Sequence, residues 1–125
     1  MPMNVYLRKL FPHDITHEVS ITQSIIREYF GKTEGLVFIR EGHENGRKYN
    51  VCINNATDAR FGGEFKEVYR EEQVKENDIL AIKEIGNNLF SLSVILSGSP
   101  LHNKLSMFFK GSNRHAIVNE KYLNL

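Results

Sequence analysis

An alternation without error begins at Phe90: Phe90, Leu92, Val94 and Leu96 fall on one side of the chain, and Ser91, Ser93 and Ile95 on the other. Successive side chains of an extended backbone point to opposite faces, so this period of two predicts a half-buried strand. Each large apolar side chain withdrawn from water contributes roughly 1.5–3 kcal/mol, so the Phe90 face demands a covering layer. Leu80 and Ile82 form a second, shorter apolar face in a strand over Ile79–Ile85. Between the two runs, Gly86-Asn87-Asn88 tolerates positive φ, which predicts a β-hairpin. Just before it, Glu71 to Lys75 suits a polar helical turn and Glu76-Asn77-Asp78 a tight corner.

Upstream, residues 5–10 alternate well enough for a first strand, with Val5, Leu7 and Lys9 on one side. Pro12 ends it, because proline cannot donate to a ladder. A strand resumes at Val19-Ser20-Ile21. Residues 23–30 carry Ile25, Ile26, Tyr29 and Phe30 at helical spacing, with Thr22 or Ser24 as N-cap and Gly31 to close the end, and predict a helix that plugs the core. Leu36–Ile39 is a continuous apolar run, Asn45-Gly46 is a hairpin signal, and Tyr49, Val51 and Ile53 alternate on the return strand. Phe65, Glu67 and Tyr69 alternate against Lys66, Val68 and Arg70, which predicts a further strand. After a break at Ser97-Gly98-Ser99-Pro100, residues 105–110 are expected as an edge strand; from Gly111 the pattern assigns nothing. Roughly seven short strands with one or two short helices make a mainly β fold, a small barrel or sandwich.

The 125 residues suffice for one domain whose core needs no staples, with residues 99–125 as a C-terminal extension. No apolar run approaches the ~20 residues of a membrane span, and Met1-Pro2-Met3-Asn4 lacks the basic and apolar parts of a signal peptide. A cytoplasmic location is expected. The single cysteine, Cys52, excludes an internal disulfide and a cysteine-rich zinc site. A net charge of +1 conceals an asymmetry, since residues 64–84 are acidic on balance while residues 99–125 hold Lys104, Lys110, Arg114 and Lys121 against Glu120 alone. A near-neutral total can therefore hide one basic face.

Several segments together resemble a known family. Arg47 to Val51 (RKYNV), Phe65 to Val68 (FKEV), Val74 to Ile82 (VKENDILAI) and Leu89 to Ile95 (LFSLSVI) look like the second half of the DNA-binding pseudobarrel, known from plant transcription factors such as the auxin response factors. Asn77 stands where that family has glycine, and asparagine is the next best residue for positive φ. Asp14 to Thr22 (DITHEVSIT) with the helix that follows is similar to the loop-strand-helix of the pseudobarrels attached to some restriction endonucleases; Ser20 stands where those often have glycine. The resemblance implies a seven-stranded open pseudobarrel with short helices at its ends, binding duplex DNA through two loop arms. On this chain the arms would be residues 8–18 and 54–64. It also implies a possible link to a nuclease domain or subunit, with no catalytic centre, cofactor or metal in the pseudobarrel itself.

Both arms carry the chemistry such a role requires. Guanine presents acceptors in the major groove, adenine a donor and an acceptor, and cytosine a donor, so a reader needs Arg or Lys, Asn or Gln, and Asp or Glu. The first arm supplies Arg8, Lys9, His13, Asp14, Thr16, His17 and Glu18; the second supplies Asn54, Asn55, Thr57, Asp58 and Arg60. Lys66, Lys104, Lys110 and Arg114 are expected at phosphates, where contacts carry no sequence information. Two enzyme readings compete with this. Asp14 with Glu64-Phe65-Lys66 imitates the carboxylates and lysine of a magnesium-dependent nuclease, and His13 with His17 imitates a zinc pair, although in an extended loop the two histidines would not share a face. A protein- or small-ligand-binding barrel is the alternative without DNA.

Overall fold

In a computed structural model of the protein, the described residues are 4–16, 18–42, 46–54, 59–111 and 113–124, with Ile15 and Thr16 described by backbone alone. Seven strands, β1 (Asn4–Lys9), β2 (Leu36–Arg40), β3 (Tyr49–Asn54), β4 (Arg60–Gly63), β5 (Ile79–Gly86), β6 (Leu89–Ile95) and β7 (His115–Asn119), form one sheet in the order β4-β3-β2-β6-β5-β1-β7. Neighbours run antiparallel except β2 and β6, which are parallel. The sheet curls into a half-barrel, the mainly β, seven-stranded open pseudobarrel expected from the sequence. The turn between β2 and β3 that contains Asn45 lies outside the described residues, but the two strands pair antiparallel as that signal requires.

The concave face holds the larger core. Phe38, Leu80, Ile82, Phe90 and Leu92 are buried there, and the helix at one end plugs it with Ile25, Ile26 and Phe30. That helix starts as α2 (Gln23–Ile25) and widens into a π turn over Ile26–Phe30. Thr22 Oγ1 caps it by accepting from Ile25 N at 3.2 Å, and Gly31, at φ +73°, closes it. The Phe30 ring meets Tyr6, Phe61 and Phe90 with centroids 5.9, 5.7 and 5.2 Å away. Such tilted or edge-on pairs each add about 0.5–1.5 kcal/mol beyond the area they bury.

Two expected strands are helices. Residues 65–69 belong to α3 (Phe65–Glu71), whose buried side chains are Phe65, Val68 and Tyr69. Spacing of i, i+3 and i+4 is one face of a helix, and Val68 is the residue that decides it, since Phe65 and Tyr69 satisfy either period. Residues 105–110 overlap α4 (Pro100–Leu105) and a 3-10 turn over Ser106–Phe108. The segment taken as a break is the start of that helix: Ser99 accepts from His102 N at 3.2 Å, and Pro100 occupies the first turn, where its missing N–H costs nothing. The strand expected at residues 19–21 is a single antiparallel bridge, Ser20 to Arg60, extended by Ile21 N to Ala59 O and Phe61 N to Val19 O.

The sheet is covered on its second face too. Val5, Leu7, Ile79, Ala81, Ile95 and Val118 bury there against Leu105 and Phe109. Strands β1 and β5 are therefore buried on both sides and read as continuous apolar runs. Leu96 falls beyond β6 and is 63% exposed, while Ile95, assigned to the polar side of the alternation, is buried in this second core. Residues 99–123 supply the cover and the edge strand β7, which pairs with β1 from Asn4 to Arg8. At the corner before β5, Asn77 takes φ +72°, and buried Asp78 accepts from Lys75 N and Ser97 N at 3.0 and 2.9 Å.

Candidate nucleic-acid interface

The root of the first arm is built around Arg8. It lies on the inward side of β1, two residues from Tyr6 and two from Leu10, and its side chain is fully buried. All five guanidinium donors have acceptors. Nη2 and Nη1 donate to Asp14 Oδ1 and Oδ2 at 2.8 and 3.0 Å, Nε donates to Ser20 O and Nη2 to Ser20 Oγ at 3.0 Å each, and Nη1 also donates to Lys9 O. Asp14, 1% exposed, stands in α1 (Pro12–Thr16) and also accepts from Phe11 N at 2.8 Å. Its carbonyl accepts from the Tyr69 hydroxyl at 3.0 Å. Arg8 and Asp14, expected from the sequence as an exposed donor and acceptor, are thus interior groups that fix α1 against β1 and residue 20.

The Ser20 to Arg60 bridge joins this root to the second arm. There β3 and β4 pair from Val51–Gly63 to Asn54–Arg60. Gly63 adopts φ +63°, and a Cβ on it would stand 2.7 Å from Asn50 O; a Cβ on Gly62 would meet the Asn54 amide. Gly63 therefore needs to be glycine, whereas at Gly62 the Asn54 side chain could move aside. Two adjoining depressions result. One, of about 320 Å³, is lined by His13, Asp14, Ser20, Thr22, Arg60, Arg114 and His115. The other, of about 200 Å³, is lined by Glu18, Asn54, Gly62, Lys66 and Tyr69 among others. A cavity of about 480 Å³ on the second face of the sheet, between Lys83 and Glu120, touches none of the expected site residues.

Electrostatics at the first depression are set by burial and by arginine. His115 is pushed down to about 4, first by loss of solvation and then by the Arg8 and Arg114 charges, so its ring is neutral at pH 7. Burial pushes the Tyr6 hydroxyl well above its ordinary range, and it shares a hydrogen bond with His115 Nδ1 at 2.7 Å with the rings stacked 6.1 Å apart. Glu64, at the end of the second arm, accepts from Asn50 N at 2.8 Å and pairs with Arg47 at 2.5 Å, and both interactions lower its carboxyl below the usual range. The two carboxylates of the nuclease reading thus have separate partners. Among the described residues no three His, Cys, Asp or Glu side chains converge as a metal site would require.

The structure therefore brings His13, Arg60 and Arg114 to one depression and Glu18, Asn54 and Lys66 to the next. Lys9 lies at the margin with its Nζ 5.8 Å over the Phe11 ring. Lys104 on α4 donates to Asn124 O, and Lys110 is exposed beyond that helix; neither lines a depression. His17, Asn55, Thr57 and Asp58 lie outside the described residues, as does the Thr16 side chain. Sequence reasoning passed over Phe11 and His115. A large aromatic in a polar loop was the available signal for the first; the apolar core of His115-Ala116-Ile117-Val118-Asn119 was the signal for the second.

Fold and site together define an open pseudobarrel in which Ser20, beyond the first arm, is bridged to Arg60 of β4. The structure is similar to the N-terminal domain of Helicobacter pylori LlaJI.R1, with a TM-score of 0.81 and 25% identity over 93% of this chain and 98% of that one. No family model and no curated protein matches the chain. No helix among the described residues is long and apolar enough to cross a membrane.

Proposed function

We propose that this chain binds double-stranded DNA sequence-specifically, through two loop arms in the major groove, as the recognition domain of a restriction endonuclease system. A nuclease domain or subunit is its partner, and the chain has no catalytic centre of its own. The observation that carries this reading is the Ser20 to Arg60 bridge, beside which His13 and Arg60 line one depression. The likeness to the N-terminal domain of LlaJI.R1, a restriction-system component, supports it.

In this reading Arg60 and His13 donate to guanine, Asn54 engages adenine and Glu18 accepts from cytosine, as the groove's donor and acceptor pattern requires. Lys9, Thr16, His17, Asn55, Thr57 and Asp58 complete the arms. Lys66 and Lys110 serve phosphates, while Arg8 and Asp14 hold the first arm in place. Selection of bound duplexes from a randomised pool tests the reading, with enrichment of a short motif as the expected result. On that motif Arg60→Ala should cost about 1–3 kcal/mol, and clearly less on random duplex. Equal losses on both would remove Arg60 as a base reader. Magnesium-dependent cutting of supercoiled plasmid that disappears in Glu64→Ala would overturn the non-catalytic assignment.

A further inference from the structure

We infer that Arg114 is a specificity-determining residue whose guanidinium reads a guanine edge, rather than one more cation at the phosphates. The inference rests on the DNA-binding reading above and deepens it. A phosphate contact asks only for positive charge, whereas reading guanine O6 and N7 asks for a planar fork held in one orientation. Arg114 is held in that way. Its carbonyl accepts from Lys9 N at 3.0 Å, and the next residue, His115, pairs with Arg8 in the β1–β7 ladder. Its guanidinium carbon sits 4.4 Å over the Phe11 ring, a contact that uses no N–H donor. Its Nη1 is 3.9 Å from Asp14 Oδ1, near enough to orient it and too far for a hydrogen bond.

Charge arithmetic at this place leaves a surplus. Asp14 already takes two hydrogen bonds from Arg8, so among the described residues two guanidiniums face one carboxylate and the Arg114 charge is the less compensated one. Among the described residues, Arg114 Nε and Nη2 make no hydrogen bond, and the side chain is 35% exposed on the wall it shares with His13 and Arg60. Lys104 and Lys110 show the opposite pattern, since among the described residues neither sits over an aromatic ring, and neither lines either depression.

The test repeats the duplex selection with the full chain carrying Arg114→Lys, which keeps the charge and removes the fork. The expected result is loss of preference at one G·C position with the rest of the motif intact. Affinity for the preferred duplex should fall about ten- to a hundredfold, with random-duplex affinity and salt slope unchanged. Phe11→Leu should reproduce a weaker version of the same relaxation, because it removes the platform and leaves the arginine. An unchanged motif in Arg114→Lys, or a uniform affinity loss in Arg114→Ala that lysine restores, would overturn the inference and return Arg114 to the phosphates. Failure of the unsubstituted protein to enrich any motif would instead sink the DNA-binding reading, and this inference with it.

Discussion

The two arms are held at their roots by different physics. The first depends on side-chain charge: one buried guanidinium with five acceptors, two of them the oxygens of a buried carboxylate. The second depends on backbone: a four-rung ladder between β3 and β4 and Gly63, where an added Cβ would meet a carbonyl. A charge-held root tolerates no conservative replacement, because loss of either partner strands the other in a medium that solvates ions poorly. A ladder-held root tolerates most side chains and fails only where added bulk meets backbone. The contrast separates a root built on the short helix α1 from one built on the strands β3 and β4, the two meeting at the Ser20 to Arg60 bridge.

Three measurements sharpen that contrast. The largest effect belongs to Asp14→Ala, which leaves the Arg8 charge buried and beside Arg114. Stability in urea should fall by about 3–5 kcal/mol, with amides of residues 11–20 exchanging faster than those of β3 and β4. A loss below about 1 kcal/mol would show that the buried pair does not hold this root. Gly63→Ala comes next, forcing a Cβ into a left-handed position 2.7 Å from a carbonyl; about 1–3 kcal/mol is expected, with fast exchange confined to β4.

The smallest effect is that of pH. The unfolded His115 takes a proton near pH 6.5, whereas the folded ring stays neutral until about 4. Between those values the unfolded state binds more protons, so the contribution of His115 is neutral above 6.5 and lowers stability as pH falls toward 4. His115→Asn, which offers Tyr6 an amide oxygen near the place of Nδ1, should flatten the melting-temperature profile in that window. An identical profile would mean that other groups set it.

Much of this frame was legible from side-chain order. β2, β3, β5 and β6 follow from runs whose apolar residues alternate or are continuous, and the plug helix follows from Thr22, its stripe and Gly31. What was not legible has more than one cause. Val5, Tyr6 and Leu7 run apolar without a break, the mark of burial on both faces, but were read as an alternating strand, so the second layer went unseen and residues 105–110 were assigned to an edge strand instead of to its cover. Residues 65–69 failed for another reason, since a spacing of four fits both a strand and a helix until Val68 is weighed. The arms were visible as dense polar loops, but the burial of Arg8 was missed although its parity with Tyr6 and Leu10 pointed inward.

Because β1 lies between β5 and β7 and has cover on both faces, the first and last parts of the chain depend on each other. A truncated version ending near residue 110 would keep Leu105 and Phe109 but have a bare ladder edge along residues 4–8, a template for sticking to its own copies. Anyone trimming this protein for expression would do better to shorten a loop than a terminus.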